Sequence, residues 1–335
     1  MHILIIDPQF DADPDIEREV AGPDAIIEVW RTEADGPVPD AKLAACDALI
    51  NCRSRNAVTR DTVVIMGRCK IVSQAGVGFN HIDLAACAER GIPVCNTPDY
   101  GTSEVADHAL ALTLSLVRGV VTYDAKLRAR TMGWHARDLK TIRRLRGASF
   151  GVLGMGRIGT AAAMRAKAFE TEVAFCDPYL VPGIEKAFGF RRAETAAELM
   201  ASCDVVSVHT PLTEETAGII GQATLDAARP GLLLVNTSRG GTMDLDAVHA
   251  ALRDGRLGGA GLDVLPTEPP QYEHPLLQAF AASEPWLEGR LVITPHAAFY
   301  SPDSLRDMRR IATQTVVNFL RDGRVRSCVN EALLG

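Results

Sequence analysis

No two of the eight cysteines are spaced C-x-x-C. They stand at 46, 52, 69, 87, 95, 176, 203 and 328, mostly inside apolar strand-like runs such as "ALINC" and "VAFC". That pattern excludes a zinc ribbon, a disulfide framework and cysteine-nucleophile chemistry, and reads as buried reduced thiols with no metal site. Long hydrophobic runs are absent too. The longest, such as "GLLLV", are far too short to span a bilayer, so no membrane association is expected. A basic leader is missing: "MHILIIDPQ" has only a short apolar run ending at Asp7, which reads as a first β-strand and makes a cytoplasmic protein the expectation. A basic surplus is missing as well. The net charge of −7 argues against a nucleic-acid partner, and "RRLR" (143–146) reads as a solvated helix end or loop. Repeats and low-complexity tracts are also lacking.

What is present is an alternation of short apolar runs with helix-like stretches. The first series is "HILIID" (2–7), "AIIEVW" (25–30), "DALINC" (47–52), "KIVSQ" (70–74) and "IPVCN" (92–96). The second is "SFGVL" (149–153), "EVAFCD" (172–177), "DVVSVH" (204–209), "GLLLVN" (231–236), "GAGLDV" (259–264) and "RLVIT" (290–294). Continuous apolar strands separated by helices imply parallel sheets covered on both faces. Two series in 335 residues imply an α/β protein of two doubly wound, Rossmann-like domains. Residues 104–121, "EVADHALALTLSLVRGVV", are apolar on nearly every face, so this helix is expected between domains or subunits, with His108 as a satisfied core histidine. Leu305, Met308, Ala312, Thr315, Val316 and Phe319 recur at helical spacing, and Gly323 is a natural stop for that final helix.

"GVLGMGRIG" (151–159) follows a strand and opens an alanine-rich helix, and the next strand ends on Asp177. That context makes Gly154, Gly156 and Gly159 a dinucleotide turn. Gly154 permits the tight turn, Gly156 lets a pyrophosphate approach the backbone, and Gly159 lets helix and strand pack closely. The helix N-terminus, at Arg157 and Ile158, offers amides to the phosphates. Arg157 itself reads equally as a phosphate contact or a solvated side chain. Asp177 suits the adenosine ribose hydroxyls and would repel a 2′-phosphate, and the residues after it are Pro178 and Tyr179 rather than arginine, so NAD is expected over NADP.

Ligands of open α/β sheets bind outside the carboxyl ends of the strands. Arg239 follows "GLLLVNTS", Glu268 follows "GLDVLPT" and His296 follows "RLVITP". Hydride transfer to a 2-oxo acid requires these groups. A guanidinium holds the carboxylate and polarises the carbonyl, an imidazole delivers the proton, and a carboxylate behind the imidazole fixes its tautomer.

Over nearly its full length the chain resembles the D-isomer-specific 2-hydroxyacid dehydrogenase family. The stretches that carry the resemblance are "RSRNAVT" (53–59), "GVGFNHID" (76–83), "GIPVCNTP" (91–98), "GMGRIG" (154–159), "HTPLTEET" (209–216), "NTSRGG" (236–241), "GGAGLDV" with "EP" (258–269) and "TPHAA" (294–298). The resemblance implies Arg239, Glu268 and His296 as catalytic residues, the amides of Val77 and Gly78 on the substrate carboxylate, and Arg53 as a substrate contact. It implies that Thr210, Pro211, Thr216, Thr237, Ser238 and Asp263 line the cofactor site. It further implies a discontinuous substrate domain of residues 1–98 plus 299–335, an NAD-binding domain over 99–298, a cleft between them, and a homodimer through the 104–121 region.

Within the family the nearest subgroup holds the C-terminal-binding-protein corepressors and their bacterial relatives, on "DPYL", "TPHAAFYS" and the terminal "SCVN". Phe299 stands where those corepressors carry tryptophan; it reads as narrowing the substrate pocket, stacking on an apolar substrate tail, or packing between domains. Val77 speaks against a phosphite dehydrogenase and Glu268 against a formate dehydrogenase. The segment "PPQYEHPLLQAFAASEPWLEGR" (269–290) is longer than the family leads one to expect, and reads as a loop beside the active site anchored by Trp286. The function expected is therefore NAD-dependent interconversion of a small D-2-hydroxy acid and its 2-oxo acid. An NAD(H)-sensing, corepressor-like scaffold is the alternative.

Overall fold

A computed structural model describes residues 1–10, 13–53 and 57–335. The chain divides into two units, Met1–Gly101 with Tyr300–Gly335, and Thr102–Phe299. Both crossings fall slightly later than the 98/99 and 298/299 expected from the sequence, and Phe299 belongs to the second unit rather than to the C-terminal segment of the first.

The first unit is built on strands β1 (His2–Ile6), β2 (Ile26–Trp30), β3 (Ala48–Asn51), β4 (Ile71–Gln74) and β5 (Val94–Asn96). They form one parallel sheet in the order β2-β1-β3-β4-β5. Alternation along β1 supplies both faces: Ile3 and Ile5 pack with Ile50, Ile71 and Val316, whereas Leu4 and Ile6 pack with Leu49, Val72 and Val94. The final helix, Pro302–Asp322, covers the first face with Met308, Ala312, Val316 and Val317. Ser301 caps it by accepting from the Ser304 amide, and Gly323 ends it at φ +72°.

The second unit holds β6 (Ser149–Leu153), β7 (Glu172–Cys176), β8 (Arg191–Arg192), β9 (Val205–Val208), β10 (Leu232–Asn236), β11 (Leu257–Leu262) and β12 (Leu291–Ile293). The order is β12-β11-β10-β9-β6-β7-β8, all parallel, which puts a topological switch between β6 and β9. Strand β8 carries two arginines and no apolar run, so it has no signal in the sequence.

Helix Thr102–Arg118 is not apolar on every side in the fold. Its leucines seat on this unit's own sheet where β11 carries glycine: a Cβ on Gly261 would stand 3.0 Å from Leu112 Cβ, and one on Gly259 3.3 Å from Leu116. Gly119 then breaks the helix at φ +63°, and a second helix, Val120–Arg128, follows. Residues 269–290 are not a loop. They form helix Pro275–Ala281 and a 3-10 turn, Pro285–Leu287, which bury Leu276, Leu277 and Leu287 in the core. Trp286 packs against His249 and under the Arg253 guanidinium. Among the described residues no single helix is long and apolar enough to cross a membrane.

Met308 is 1% exposed. Met308→Ala is expected to destabilise the first unit by about 2–5 kcal/mol through lost burial and the cavity left behind. Urea unfolding of the full chain, followed by circular dichroism, measures it; a change below about 0.5 kcal/mol would contradict the packing role of the final helix.

Candidate active site

Strand register sets the site. Leu153 pairs with Cys176 and with Val208, Val208 with Asn236, Asn236 with Leu262, and Leu262 with Ile293. The carboxyl ends of β6, β7, β9, β10, β11 and β12 therefore form one row. The residues that immediately follow them are Gly154, Asp177, His209, Thr237, Asp263 and Thr294.

At the switch point the glycine turn is dictated by space. Gly154 has φ +90°, and a Cβ there would lie 2.9 Å from the Thr210 amide nitrogen. A Cβ on Gly159 would lie 2.0 Å from the Gly154 carbonyl oxygen, so the first turn of helix Arg157–Ala168 can sit on the strand end only with glycine at 159. Gly156, by contrast, faces open space. Ile158 is half-buried in the first helical turn and Arg157 is exposed. Asp177 Oδ2 accepts from the Met155 amide at 2.9 Å and Oδ1 from the Tyr179 amide at 3.0 Å, which fixes the carboxylate beside the turn. Arg192 lies close by, yet its guanidinium donates to the carbonyl oxygens of Asp177, Leu180 and Val181 and pairs with Glu185. It stiffens the loop and is not offered to a 2′-phosphate.

Two hydroxyls on this row are buried without a hydrogen-bond partner, Thr210 Oγ1 and Thr237 Oγ1. Orphaned buried donors are costly unless a ligand satisfies them. Together with the open face at Gly156 and the carboxylate of Asp177, they fit a dinucleotide. Thr216 and Ser238 act inside their own loops: Thr216 Oγ1 donates to the Pro211 carbonyl at 2.6 Å, and Ser238 Oγ to Asn236 Oδ1 at 2.9 Å.

Further along the row, Arg239, Glu268 and His296 come together. A Cβ on Gly240 would fall 2.0 Å from the Leu265 carbonyl, so the turn carrying Arg239 lies directly on the backbone that leads to Glu268. Glu268 Oε2 contacts His296 Nδ1 at 2.6 Å, and Oε1 accepts from the Leu265 amide at 2.9 Å. Burial by itself would raise the Glu268 carboxyl. The His296 hydrogen bond and charge, the Leu265 amide and the Arg239 guanidinium outweigh it and hold the group below its ordinary value. With Nδ1 committed to Glu268, Nε2 is the atom of His296 available for proton transfer.

His296 itself sits at φ +52°, a strained conformation for a side chain of this kind. Buried Asp263 maintains it. Its carboxylate accepts from Thr294 Oγ1 at 2.6 Å and from the amides of Ala297 and Ala298 at 2.9 and 3.0 Å, and its carbonyl accepts from the His296 amide at 2.8 Å. His108 is more than a filled core position. It is half-buried, with Nε2 2.9 Å from Thr294 Oγ1 and 3.5 Å from Asp263. Phe299 sets its ring edge-on to His296, centroids 6.2 Å apart.

The remaining residues with expected roles lie on the first unit. Arg53 follows β3 and is exposed, and Val77 and Gly78 follow β4; Asn51 at the end of β3 pairs with Gln74 at the end of β4, so all three gather at one end of that sheet. Residues 54–56 of the "RSRNAVT" stretch lie outside the described residues.

Fold and site define a dinucleotide-binding α/β protein with an arginine, a carboxylate and a histidine on the same row of strand ends as the glycine turn. The family model "D-isomer specific 2-hydroxyacid dehydrogenase, NAD binding domain" matches residues 110–298, and the chain belongs to that family, with NAD as its cofactor. It is 34% identical over 278 residues to D-3-phosphoglycerate dehydrogenase of Archaeoglobus fulgidus, covering 83% of this chain and 50% of that one. The chain spans about half the length of the curated relatives it matches. Among solved structures, the TT0316 protein of Thermus thermophilus superposes with a TM-score of 0.83 at 32% identity, over 98% of this chain and 100% of that one. D-lactate dehydrogenase of Aquifex aeolicus, complexed with NAD and lactic acid, superposes with a TM-score of 0.80 at 27% identity, over 96% of each chain.

His209, within "HTPLTEET", has no role that its sequence context signals. Its Nε2 contacts Ser207 Oγ at 2.8 Å, and burial pulls the imidazole down to about 4. The unfolded chain binds a proton at this residue near pH 6.5, whereas the folded chain stays neutral until about pH 4. Stability is therefore expected to fall as the pH drops from 6.5 toward 4, by up to about 3 kcal/mol. Urea unfolding across that range should show a shallower pH dependence in His209→Asn, and identical slopes in the two proteins would contradict the buried neutral imidazole.

Proposed function

We propose that the protein is an NAD-dependent oxidoreductase that interconverts a small D-2-hydroxy acid and its 2-oxo acid. The observation that carries this reading is the 2.6 Å contact between Glu268 and His296, with Arg239 held against the same loop. A scaffold that only senses NAD(H) has no use for a carboxylate–imidazole pair of this kind, and family membership favours the enzyme.

Cofactor binding falls to the glycine turn and the helix amides at 157–159 for the pyrophosphate, Asp177 for the ribose hydroxyls, and Thr210, Pro211, Thr237 and Asp263 for the nicotinamide half. Bound NADH supplies a hydride to the substrate carbonyl carbon. Arg239 holds the carboxylate and carbonyl oxygens in a planar fork and stabilises the negative charge that builds on the carbonyl oxygen. His296 Nε2 gives that oxygen its proton, and Glu268 fixes the imidazole and balances its positive charge beforehand. In the oxidative direction neutral His296 takes the hydroxyl proton. Arg53 and the amides of Val77 and Gly78 are proposed to take the substrate carboxylate, and Phe299 to shape the space beside His296. An anionic 2-oxo acid suits Arg53. Two copies of the chain are proposed to associate through the 104–121 region, at whose end Val120 and Val121 are exposed.

NADH oxidation against a panel of 2-oxo acids (glyoxylate, hydroxypyruvate, phosphohydroxypyruvate, branched and aromatic ones) identifies the substrate. With the best of them, His296→Gln should lower kcat by about 10²–10⁴ and leave NADH affinity unchanged. Undiminished turnover would remove the acid/base role. Asp177→Ala should weaken NADH and narrow its advantage over NADPH; an unaltered preference would show that Asp177 does not read the ribose.

A further inference from the structure

Cys95 and Cys328 face each other in the first unit. They form an isolated antiparallel bridge in which β5 meets the C-terminal segment. The Asn96 amide donates to the Ser327 carbonyl at 3.2 Å and the Val329 amide to the Val94 carbonyl at 2.8 Å. Hydrogen bonds that flank the pair on both sides mark it as a non-hydrogen-bonded cross-strand pair. That register brings Cα atoms to about 4.5 Å, within the roughly 4.4–6.8 Å that a disulfide spans. The Cys95 thiol is pushed up to about 12, first by burial and then by Cys328 across the bridge.

The surroundings hold this arrangement without any need to move the backbone. Asn330 is buried, accepts from the Val94 amide at 2.8 Å and donates to the Ile92 carbonyl at 3.0 Å. The same Oδ1 accepts from Cys328 Sγ at 3.2 Å, which keeps that sulfur next to Cys95. Access differs sharply among the cysteines. Seven are buried and Cys328 alone is part-exposed. Cys46 and Cys69 also lie in one apolar core, but at 0% and 5% exposure no reagent reaches either.

We propose that Cys95 and Cys328 are a thiol–disulfide exchange site, closed by a small-molecule disulfide into an intrachain bond that ties the C-terminal segment to β5. The part-exposed Cys328 thiolate attacks the reagent disulfide, forming a mixed disulfide and expelling one thiolate, which takes up the proton that Cys328 gave up. The Cys95 thiol then loses its proton to solvent and attacks the Cys328 sulfur. The bond from Cys328 to the reagent breaks, and the second thiolate leaves and is protonated. Two cysteine thiols are oxidised and one reagent disulfide is reduced to two thiols. The bond closes a loop through most of the chain, so it stabilises the folded unit against unfolding.

The test is to incubate the full chain with oxidised glutathione, alkylate remaining thiols in denaturant, and map the peptides by mass spectrometry. The expected product is a peptide pair joined through Cys95 and Cys328, cleaved by dithiothreitol, and accompanied by a rise in Tm that dithiothreitol reverses. Cys328→Ser should show neither the cross-link nor the Tm shift, and Cys46→Ser should keep both. Cys95→Ala, if it folds, should stop at a glutathione adduct on Cys328. The proposal is overturned if wild-type Cys328 ends as a stable glutathione adduct with Cys95 still alkylatable, or if both cysteines stay reduced while the reagent is in excess.

Discussion

One buried carboxylate organises the end of the second sheet. Asp263 gathers the Thr294 hydroxyl and the amides of Ala297 and Ala298, and so holds His296 in a left-handed conformation that its side chain would not adopt unaided. A buried carboxyl group that accepts from several donors at once is a strong clamp, because every one of those bonds is lost together if it moves. His108 completes the clamp from the long helix beneath the sheet, through Thr294. The histidine proposed to move the proton is thus aimed by a residue that family resemblance places among the cofactor contacts, and by a second histidine in a helix that reads as pure core.

The two ends of the strand row divide the work by their electrostatics. At the β6–β9 switch the chain offers amides, unsatisfied hydroxyls and a single carboxylate, the complement of a pyrophosphate flanked by sugar hydroxyls. At the β10–β12 end it offers a guanidinium near a carboxylate–imidazole pair, the complement of a carbonyl that gains negative charge and then a proton.

Much of this was legible beforehand because parallel strands buried on both faces leave a direct trace, unbroken apolar runs. The five strands of the first unit and six of the seven in the second were visible for that reason, as were the glycine turn, Asp177 and the placing of Arg239, Glu268 and His296 after strand ends. What escaped notice depends on packing between distant segments. Strand β8 is two arginines at a sheet edge. Helix Thr102–Arg118 reads as needing a partner because nothing in its own sequence says that β11 beneath it is floored with glycine. Segment 269–290 lacks a clean period, and only its packing on the core shows it to be helix and turn. His209 and His108 carry no local signature; burial and a threonine far along the chain give them their character.

The contact at Gly240 leaves no gap between the loop of Arg239 and the loop of Glu268. Two segments in van der Waals register along their main chains move as one solid piece. The backbone points that carry Arg239 and Glu268 therefore keep a fixed separation through the proposed reaction, and the reorganisation that water would undergo around the same charges is completed once, when the chain folds. In the proposed reaction the slow steps would then fall to binding and release rather than to the alignment of these charges.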